Sequence, residues 1–486
     1  MKRTIRIKNK VIGLLLGLSA LCIVSCKKAL EVPLPSNLIL VQNAYNDDGT
    51  AIAAVSSMYT QMTKHTNFEW GGITANTSLY GDDIQRASSG VTTNNYYIAN
   101  LTAAGSDVKF MMSEAYSTIL YTNTNIEQLT ASTSLSPQIK KELLGECYFA
   151  RAYTYFYIVN YWGSAAAMPL TSELTISQVS PSTSADKIYA QIVADLKLAQ
   201  ANLTNAYPVT DKGRPNLQAA NALLARVYLY TGKYADAITQ ASAVVNSGLY
   251  TPLPSPAVSF LKTSNETIWC LQGQASPSLN PTPDAYLFFP SNSYVPPTFT
   301  LTSSLLASFE PGDLRYTNWV YTVAVSAVIG SPVKTNYYVP GKYKQPTASS
   351  ISSATENYVL LRAAEMYLVL AEAYYKTGDL PNAIANLNVV RARAGLANLS
   401  STLTTDQCRA AIEQENRVEY FAEQGHRFFD LKRWPGISGG KWRSDEVLPV
   451  SKAGVPNFAW ASYKNYFPIP DPDLLSDKNL IQNPGY

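Results

Sequence analysis

Few side chains of this 486-residue chain are suited to catalysis. It holds only two histidines, His65 and His426, and no Gly-x-Ser-x-Gly turn, phosphate-binding Gly-Lys loop or His-Glu-x-x-His helix. The adjacent acids Asp82 and Asp83 are interpreted as turn-forming or ligand-binding groups, because neighbouring loop residues rarely face one atom. A carboxylate pair distant in sequence leaves glycoside hydrolysis open as an alternative. We therefore predict no catalytic residue, no metal site and no cofactor.

The composition suits binding instead. The chain has 33 Tyr, 14 Phe and 7 Trp, while only 15% of its residues are charged. A sugar presents a C–H face that an aromatic ring can cover and hydroxyl groups that polar side chains can satisfy. Alternatively, each ring simply packs its loop against the rest of the protein. The candidate ligand-binding residues are Trp70, Tyr80, Asp82, Asp83, Tyr286, Tyr294, Arg315 and Trp319.

The amino terminus has the anatomy of a lipoprotein signal. Its first ten residues include five basic residues and no acid, and an apolar run follows over residues 11–24. Cys26 follows a small residue, as a lipidating transferase requires, so residues 1–25 are predicted to be a signal peptide and 26–43 a lipidated tether. Several acyl chains on one cysteine anchor a protein stably to a bilayer. An ordinary cleaved signal with an incidental cysteine is the alternative.

Charge and cysteine content argue against two further classes of protein. Residues 1–25 contain five of the 38 basic residues and none of the 35 acids, so the remaining chain has a small negative net charge. It therefore lacks the basic surface of a nucleic-acid-binding protein. Cys147, Cys270 and Cys408 are far apart and odd in number, which favours buried free thiols over a disulfide framework.

Helical periodicity dominates the elements that must position the candidate residues. Residues 65–105 are the main exception before the middle of the chain. They are rich in Gly, Asn, Ser and Thr and are predicted to be loops. Helices are predicted over about 47–62, 107–131, 137–160, 184–203, 216–231, 234–247, 358–377, 380–394 and 405–423.

Two helical segments repeat each other. The pattern Leu-Ala-x-x-Tyr-x-x-Thr-Gly occurs at 224–232 and again at 370–378, and Ala-Ile follows both copies. A small Ala lets two helices approach closely, and a Gly in the left-handed conformation ends the first helix. The pattern predicts tetratricopeptide-like hairpins stacked in a right-handed α-solenoid. This mostly α scaffold is expected over about 107–247 and 357–434.

Residues 250–356 interrupt that scaffold. The hundred residues from 251 to 350 contain 13 of the 28 prolines and only nine charged residues. Because proline removes backbone donors and stops helices, this stretch is predicted to be a large irregular insertion that carries short strands. Irregular segments on a rigid scaffold often hold binding residues, so the insertion is the predicted ligand-binding region.

Several motifs resemble those of the SusD/RagB family of outer-membrane nutrient-binding lipoproteins. The resemblance covers nearly all of the chain after the signal peptide, and its motifs are specific in combination rather than singly. They are the lipobox at Cys26, Arg151-Ala152-Tyr153, Tyr161-Trp162-Gly163, Glu415-x-Arg417-x-Glu419, Gly425-His426-Arg427-Phe428-x-Asp430-Leu431-x-Arg433-Trp434, and the carboxyl-terminal Gln482-Asn483-Pro484-Gly485-Tyr486.

The resemblance implies a function that periodicity does not. Residues 44–486 would form a single SusD-like domain, lipid-anchored at the outer membrane and facing the exterior. The protein would capture an oligosaccharide or polysaccharide and deliver it, as a lid, to a SusC-like TonB-dependent barrel without hydrolysing it. Arg427, Asp430 and Trp434 would be structural. Two alternatives stay open, namely a protein-interaction scaffold without a sugar site and capture of a non-glycan nutrient such as a peptide.

Overall fold

A computed structural model describes residues 43–87, 94–273, 280–290, 292–326, 333–350 and 352–486. The predicted signal peptide, Cys26 and nearly all of the predicted tether lie outside the described residues. The division of the chain into tether and single domain therefore stays a prediction.

The first half of the chain is a series of helices that pack on their neighbours. In spatial order, α3, α4, α6, α7 and α8 each contact the next, while α1 packs across α3 and α4. The helices are α1 (Asp48–Met62), α2 (Gly72–Tyr80), α3 (Ser106–Ala131), α4 (Pro137–Trp162), α5 (Leu174–Ser177), α6 (Ala185–Asn202), α7 (Leu217–Tyr230) and α8 (Tyr234–Asn246).

The second half returns to the same frame after the proline-rich insertion. Helix α12 packs against α8, and α13 and α14 continue from it, so one helical core runs through both halves. The helices are α9 (Pro283–Phe288), α10 (Ser303–Leu306), α11 (Leu314–Trp319), α12 (Ala363–Lys376), α13 (Leu380–Arg393), α14 (Thr405–Tyr420), α15 (His426–Arg433), α16 (Arg443–Ser451) and α17 (Asp471–Ser476).

The two copies of the repeat end their first helices in the same way. Gly232 and Gly378 have φ values of 71° and 86°, the left-handed conformation predicted for them. In each copy the next residue donates its backbone N–H to a tyrosine carbonyl, Lys233 to Tyr228 at 2.8 Å and Asp379 to Tyr374 at 2.9 Å. This is the hydrogen-bond pattern of a Schellman cap. The mostly helical class is confirmed, while the right-handed solenoid stays a prediction.

Three short antiparallel pairs of strands organise the insertion. Strand β2 pairs with β6, β4 forms a hairpin with β5, and β1 pairs with β3, which ties the insertion to the amino-terminal part of the fold. The strands are β1 (Ile84–Arg86), β2 (Thr267–Leu271), β3 (Phe299–Leu301), β4 (Val320–Val325), β5 (Thr335–Pro340) and β6 (Tyr358–Arg362).

Two predicted element assignments are wrong. The helix predicted from residue 358 begins at 363, because the first five residues instead pair with the fully buried strand β2. Residues 65–105 contain α2, which has no amphipathic period because nearly all of its residues are buried. Its polar side chains make hydrogen bonds inside the protein, as Thr77 does to the carbonyl of Ile73 at 2.6 Å.

The predicted state of the cysteines is confirmed within the part of the chain that the structure describes. Cys147, Cys270 and Cys408 are buried and free, as predicted. No described helix combines the length and the hydropathy that a bilayer-spanning helix requires.

Candidate functional site

Three of the exposed tyrosines of the insertion lie on or near α9 and β4. Tyr286, Tyr294 and Tyr321 are 62%, 46% and 43% exposed, whereas most large side chains of the fold are buried. We call these three residues the tyrosine face. Tyr286 and Tyr294 were predicted to be ligand-binding residues, and their exposure leaves both rings available to a ligand.

The tyrosine face is held by contacts between segments that are distant in sequence. Helix α9 buries Ala285 and Phe288, which turns Tyr286 towards solvent. The ring of Phe289, just after α9, lies 4.8 Å from that of Tyr321 on β4. The N–H of Ser326 donates to the carbonyl of Ser293 at 3.2 Å. The end of β4 is thus fastened beside the segment that carries Tyr294.

Tyr321 is not among the ligand-binding residues predicted from the sequence, because the alternation of its strand predicts a buried side chain. In strand order Tyr321 shares a face with Val323 and Val325, which are both buried. Alternation alone therefore predicts a buried ring. The base of its side chain packs closely against Gly341, since a Cβ at that position would lie 2.8 Å from the Cβ of Tyr321.

Trp319 and Arg315, predicted to contact a ligand, are buried instead. The indole N–H of Trp319 donates to the carbonyl of Pro256 at 2.7 Å, and the Nζ of Lys342 lies 5.0 Å from its ring centroid. Arg315 donates Nη1 to Glu415 at 2.5 Å. Both residues lie on α11, a helix where a loop was expected, and both connect the insertion to the helical frame.

Trp70 and Tyr80 are also packing residues in this structure. Trp70 lies edge-on to the ring of Tyr358 at 5.5 Å. Tyr80 contacts Phe428 and Phe467, each at 4.9 Å, and its hydroxyl donates to the carbonyl of Lys464 at 2.9 Å. The loop prediction failed because the polar residues around these rings satisfy one another in the interior. Neither ring is accessible to a sugar here.

Asp82 and Asp83 are buried and face different partners, so they do not form a ligand-binding pair. Burial opposes ionisation of Asp82, but the guanidinium groups of Arg427 at 2.7 Å and Arg417 at 3.0 Å outweigh it and lower its pKa to about 2. Burial and the nearby charge of Asp82 raise the pKa of Asp83 to about 6. The Asp83 carboxylate accepts from the N–H of Ala422 at 3.1 Å. Both acids link the α2–β1 turn to the α14–α15 region.

The histidines have structural surroundings. His426 is buried, stacks on Tyr420 with ring centroids 4.1 Å apart, and burial lowers its pKa well below the ordinary value. His65 lies 2.9 Å from Glu69. Within the described ranges there is no group of three or more His, Cys, Asp or Glu side chains that could hold a metal ion.

The surface of the protein also has a large groove, which is lined mainly by aliphatic groups. Its volume is about 620 Å³, and it is bounded by α3, α17 and residues 167–180. Polar groups within it include Asn123 and Asp473. Six exposed aliphatic side chains line or directly flank the groove in sequence, namely Leu170, Leu174, Ile176, Val179, Leu475 and Ile481. We call these the aliphatic rim.

Two family models match separate parts of the chain. The model described as the SusD family matches residues 307–486, and the model described as starch-binding associating with outer membrane matches residues 39–229. Together they span both halves of the helical frame.

Curated relatives match either nearly the full length of the chain at low identity or a shorter stretch at higher identity. SusD-like protein P25 of Formosa agariphila is 24% identical over an alignment that covers 95% of this chain and 97% of the relative. The starch-binding protein SusD of Bacteroides thetaiotaomicron is 34% identical over 128 residues, which cover 26% of this chain and 21% of that protein.

Solved structures share the fold. A SusD superfamily protein from Bacteroides vulgatus has a TM-score of 0.73 at 20% identity, with 91% of this chain and all of that chain covered. Surface glycan-binding protein A from Bacteroides uniformis also has a TM-score of 0.73, at 22% identity, with 90% and 99% covered. These similarities establish the arrangement of helices and strands.

Proposed function

Because the chain belongs to the SusD/RagB family, we propose that it is a cell-surface lipoprotein that captures glycans. Cys26 would carry the acyl anchor at the outer membrane. The protein would deliver its ligand, as a lid, to a TonB-dependent transporter of the SusC type and would not hydrolyse it. The tyrosine face is the observation that supports capture of a glycan by this chain.

The chemistry of the tyrosine face suits an oligosaccharide. An exposed tyrosine combines an apolar ring with one polar hydroxyl, so it can cover the C–H face of a sugar and hydrogen-bond to its rim. The rings come from α9, β4 and the segment between them, so the proposed surface offers three such side chains from neighbouring parts of the insertion. The buried ring of Trp319 and the ion pair between Arg315 and Glu419 fix α11, the helix that leads into β4. They make the support of the tyrosine face rigid.

We predict that Tyr321→Ala and Tyr286→Ala each weaken glycan binding by about fivefold, since one ring contact contributes about 1 kcal/mol. Isothermal titration calorimetry with a panel of neutral and acidic oligosaccharides would measure this effect. Tyr121→Ala is the matched control, because Tyr121 is an exposed tyrosine of α3 outside the tyrosine face. The proposal fails if no glycan in the panel binds, and a peptide that binds instead would identify another nutrient.

The aliphatic rim supports the proposed transporter partnership. Six exposed aliphatic side chains around one groove form the kind of surface that proteins use for contacts with one another. The rim carries no exposed tyrosine, so it is poorly suited to stacking on sugars. We assign it to the barrel partner, and the tyrosine face to the ligand.

We expect Ile176→Asp to reduce co-purification with the SusC-like partner several-fold, because it places a charge in an apolar contact. Pull-down from detergent-solubilised outer membranes would measure the retained partner. Val450→Asp makes the same change at another exposed aliphatic residue, outside the groove. Equal retention of the partner by both variants would contradict the assignment of the rim.

A further inference from the structure

A second cleft, lined by arginines, lies where α14, α15 and α16 meet. Its volume is about 290 Å³. Arg409 and Arg417 come from α14, Arg427 from the first turn of α15 and Arg443 from the start of α16. Glu413 is the one acid among the residues that line it. None of the three tyrosines of the tyrosine face belongs to this lining.

Most of the positive charge in the cleft is neutralised by nearby acids. Asp82 accepts from both Arg427 and Arg417. Arg443 is held by Glu413 at 3.0 Å and by Glu446 at 2.6 Å. The positive charge of the cleft therefore does not by itself indicate a ligand. A ligand would have to bind the guanidinium N–H donors that these acids leave unpaired.

Two sets of donors remain available. The acid within 4 Å of Arg409 is Asp406, at 3.9 Å and with a side chain that is 92% exposed, a weak partner in solvent. The Nε of Arg417 is buried and has no hydrogen-bond acceptor among the described residues. A buried guanidinium N–H without an acceptor is costly. Arg417 lines the cleft, so a reorientation of its side chain would let an anionic ligand there supply that acceptor.

An apolar slot adjoins the arginines. Tyr375, Ile412, Trp434 and Ile437 line it, and it shares Arg409 and Arg443 with the cleft. Ile437 is half-exposed and reaches into both spaces. The slot has a volume of only about 40 Å³, so it places apolar side chains beside the arginines without forming a separate ligand pocket.

We propose that this cleft binds the carboxylate or sulfate groups of an acidic oligosaccharide. Guanidinium groups are the preferred partners for such oxyanions because their paired N–H donors match two oxygens. Arg409 and Arg417 lie eight residues apart on α14, about 12 Å along the helix axis. Glu413 lies between these two arginines in the sequence of α14 and pairs with Arg443. Its carboxylate would repel a single anion placed midway between the two arginines. That spacing fits two anionic groups on one chain.

The sugar part of this inference rests on the proposed glycan capture, whereas the oxyanion contacts rest on the cleft alone. Calorimetry with the full-length protein would compare oligogalacturonate and a sulfated galactan oligosaccharide with their carboxyl-reduced and desulfated counterparts. We expect the acidic forms to bind about tenfold more tightly than the neutral ones, and added NaCl to remove the difference.

Arg409→Gln is expected to remove that preference and to leave binding of the neutral forms unchanged. Lys197→Gln is the matched control, since it removes one exposed positive charge on α6. Equal affinity of the two variants for the acidic forms would overturn the inference. So would a saturable isotherm with sodium sulfate that matches the oligosaccharide, because it would indicate a small-ion site.

The same measurements separate this inference from the proposed function. If neutral and acidic forms bind equally well and Tyr321→Ala weakens both, glycan capture stands and the arginine cleft is not an acidic subsite. If neither form binds and no other glycan does, the proposed function fails together with its acidic subsite.

Discussion

Glu419→Gln is expected to lower the free energy of unfolding by about 3–5 kcal/mol, the usual cost of removing one partner from a buried ion pair. Glu419 is fully buried on α14. It accepts hydrogen bonds from Arg362 and Arg393, and from Arg315 at 3.0 Å. The amide of glutamine would remove the buried charge that these three guanidinium groups share and would direct N–H donors towards them.

The pH dependence follows from the same contacts. Burial raises the pKa of Glu419, but Arg393, Arg362 and Arg315 outweigh it, so its pKa lies well below the ordinary value of 4.5. The unfolded chain therefore binds a proton at a higher pH than the folded chain does. The stabilisation is present above pH 4.5 and is lost as the pH falls towards the folded-state pKa. The wild-type protein and the variant should converge only in strong acid.

Urea unfolding monitored by circular dichroism would measure the loss at pH 7 and at a series of lower pH values. Glu310→Gln is the control within the same network, because the Glu310 side chain is 43% exposed and pairs with Arg391 alone. Although Arg391 is buried, solvent screens this half-exposed pair, so it contributes less than the fully buried pairs of Glu419. A Glu419→Gln effect no larger than that of Glu310→Gln would contradict the role of Glu419 as the centre of the network.

Trp319→Ala is expected to destabilise the protein by about 3–5 kcal/mol, as large truncations in a core do. The indole ring is 1% exposed. It lies 5.5 Å from the ring of Phe260 and beneath the cations of Lys342 and Arg393. Its removal leaves a cavity and takes away the ring that both cations contact.

The matching experiment separates packing from recognition. Thermal unfolding and glycan titration would be measured on Trp319→Ala and Tyr321→Ala in parallel. The first should lower the melting temperature and weaken glycan binding less than the second does, whereas the second should lose affinity and keep its melting temperature. If Trp319→Ala weakens binding as much as Tyr321→Ala does while it is fully folded, the ring has a ligand-binding role that its burial does not indicate.

Arg315 and Trp319 attach the insertion to the helical frame. Both lie on α11, the short helix that leads into β4. Their partners are on α14, the α13 carboxyl terminus and β6. The ion pairs and the ring contacts therefore hold the base of the hairpin from which Tyr321 projects. A charged network at this junction favours one orientation of the insertion.

The helices of the frame could be predicted because their periodicity is local. Helices α3, α4, α6, α7 and α8 each lie within about two residues of the predicted bounds. Their apolar and small residues recur at the spacing of one helix face, and Gly232 and Gly378 mark where a left-handed residue ends the helix. Helix α2 could not be predicted, because burial on all sides removes that periodic signal.

The candidate site could be predicted only in part. Tyr286 and Tyr294 are exposed, as a ligand-binding residue must be, while Trp70, Tyr80, Asp82, Asp83, Arg315 and Trp319 are interior groups. Tyrosine and tryptophan have the same composition signal whether they pack or bind. The partners of the buried candidate residues, such as Glu415 for Arg315, lie up to several hundred residues away in the sequence.

By itself the sequence determined the helical repeats, the place of the proline-rich insertion and the family motifs, because each depends on residues that are near one another in the chain. The tertiary structure alone decided which rings meet solvent and which arginines keep unpaired donors. Tyr321 is open and Trp319 is closed although they are two residues apart. Burial depends on what the rest of the chain places above a side chain, and no local pattern contains that information.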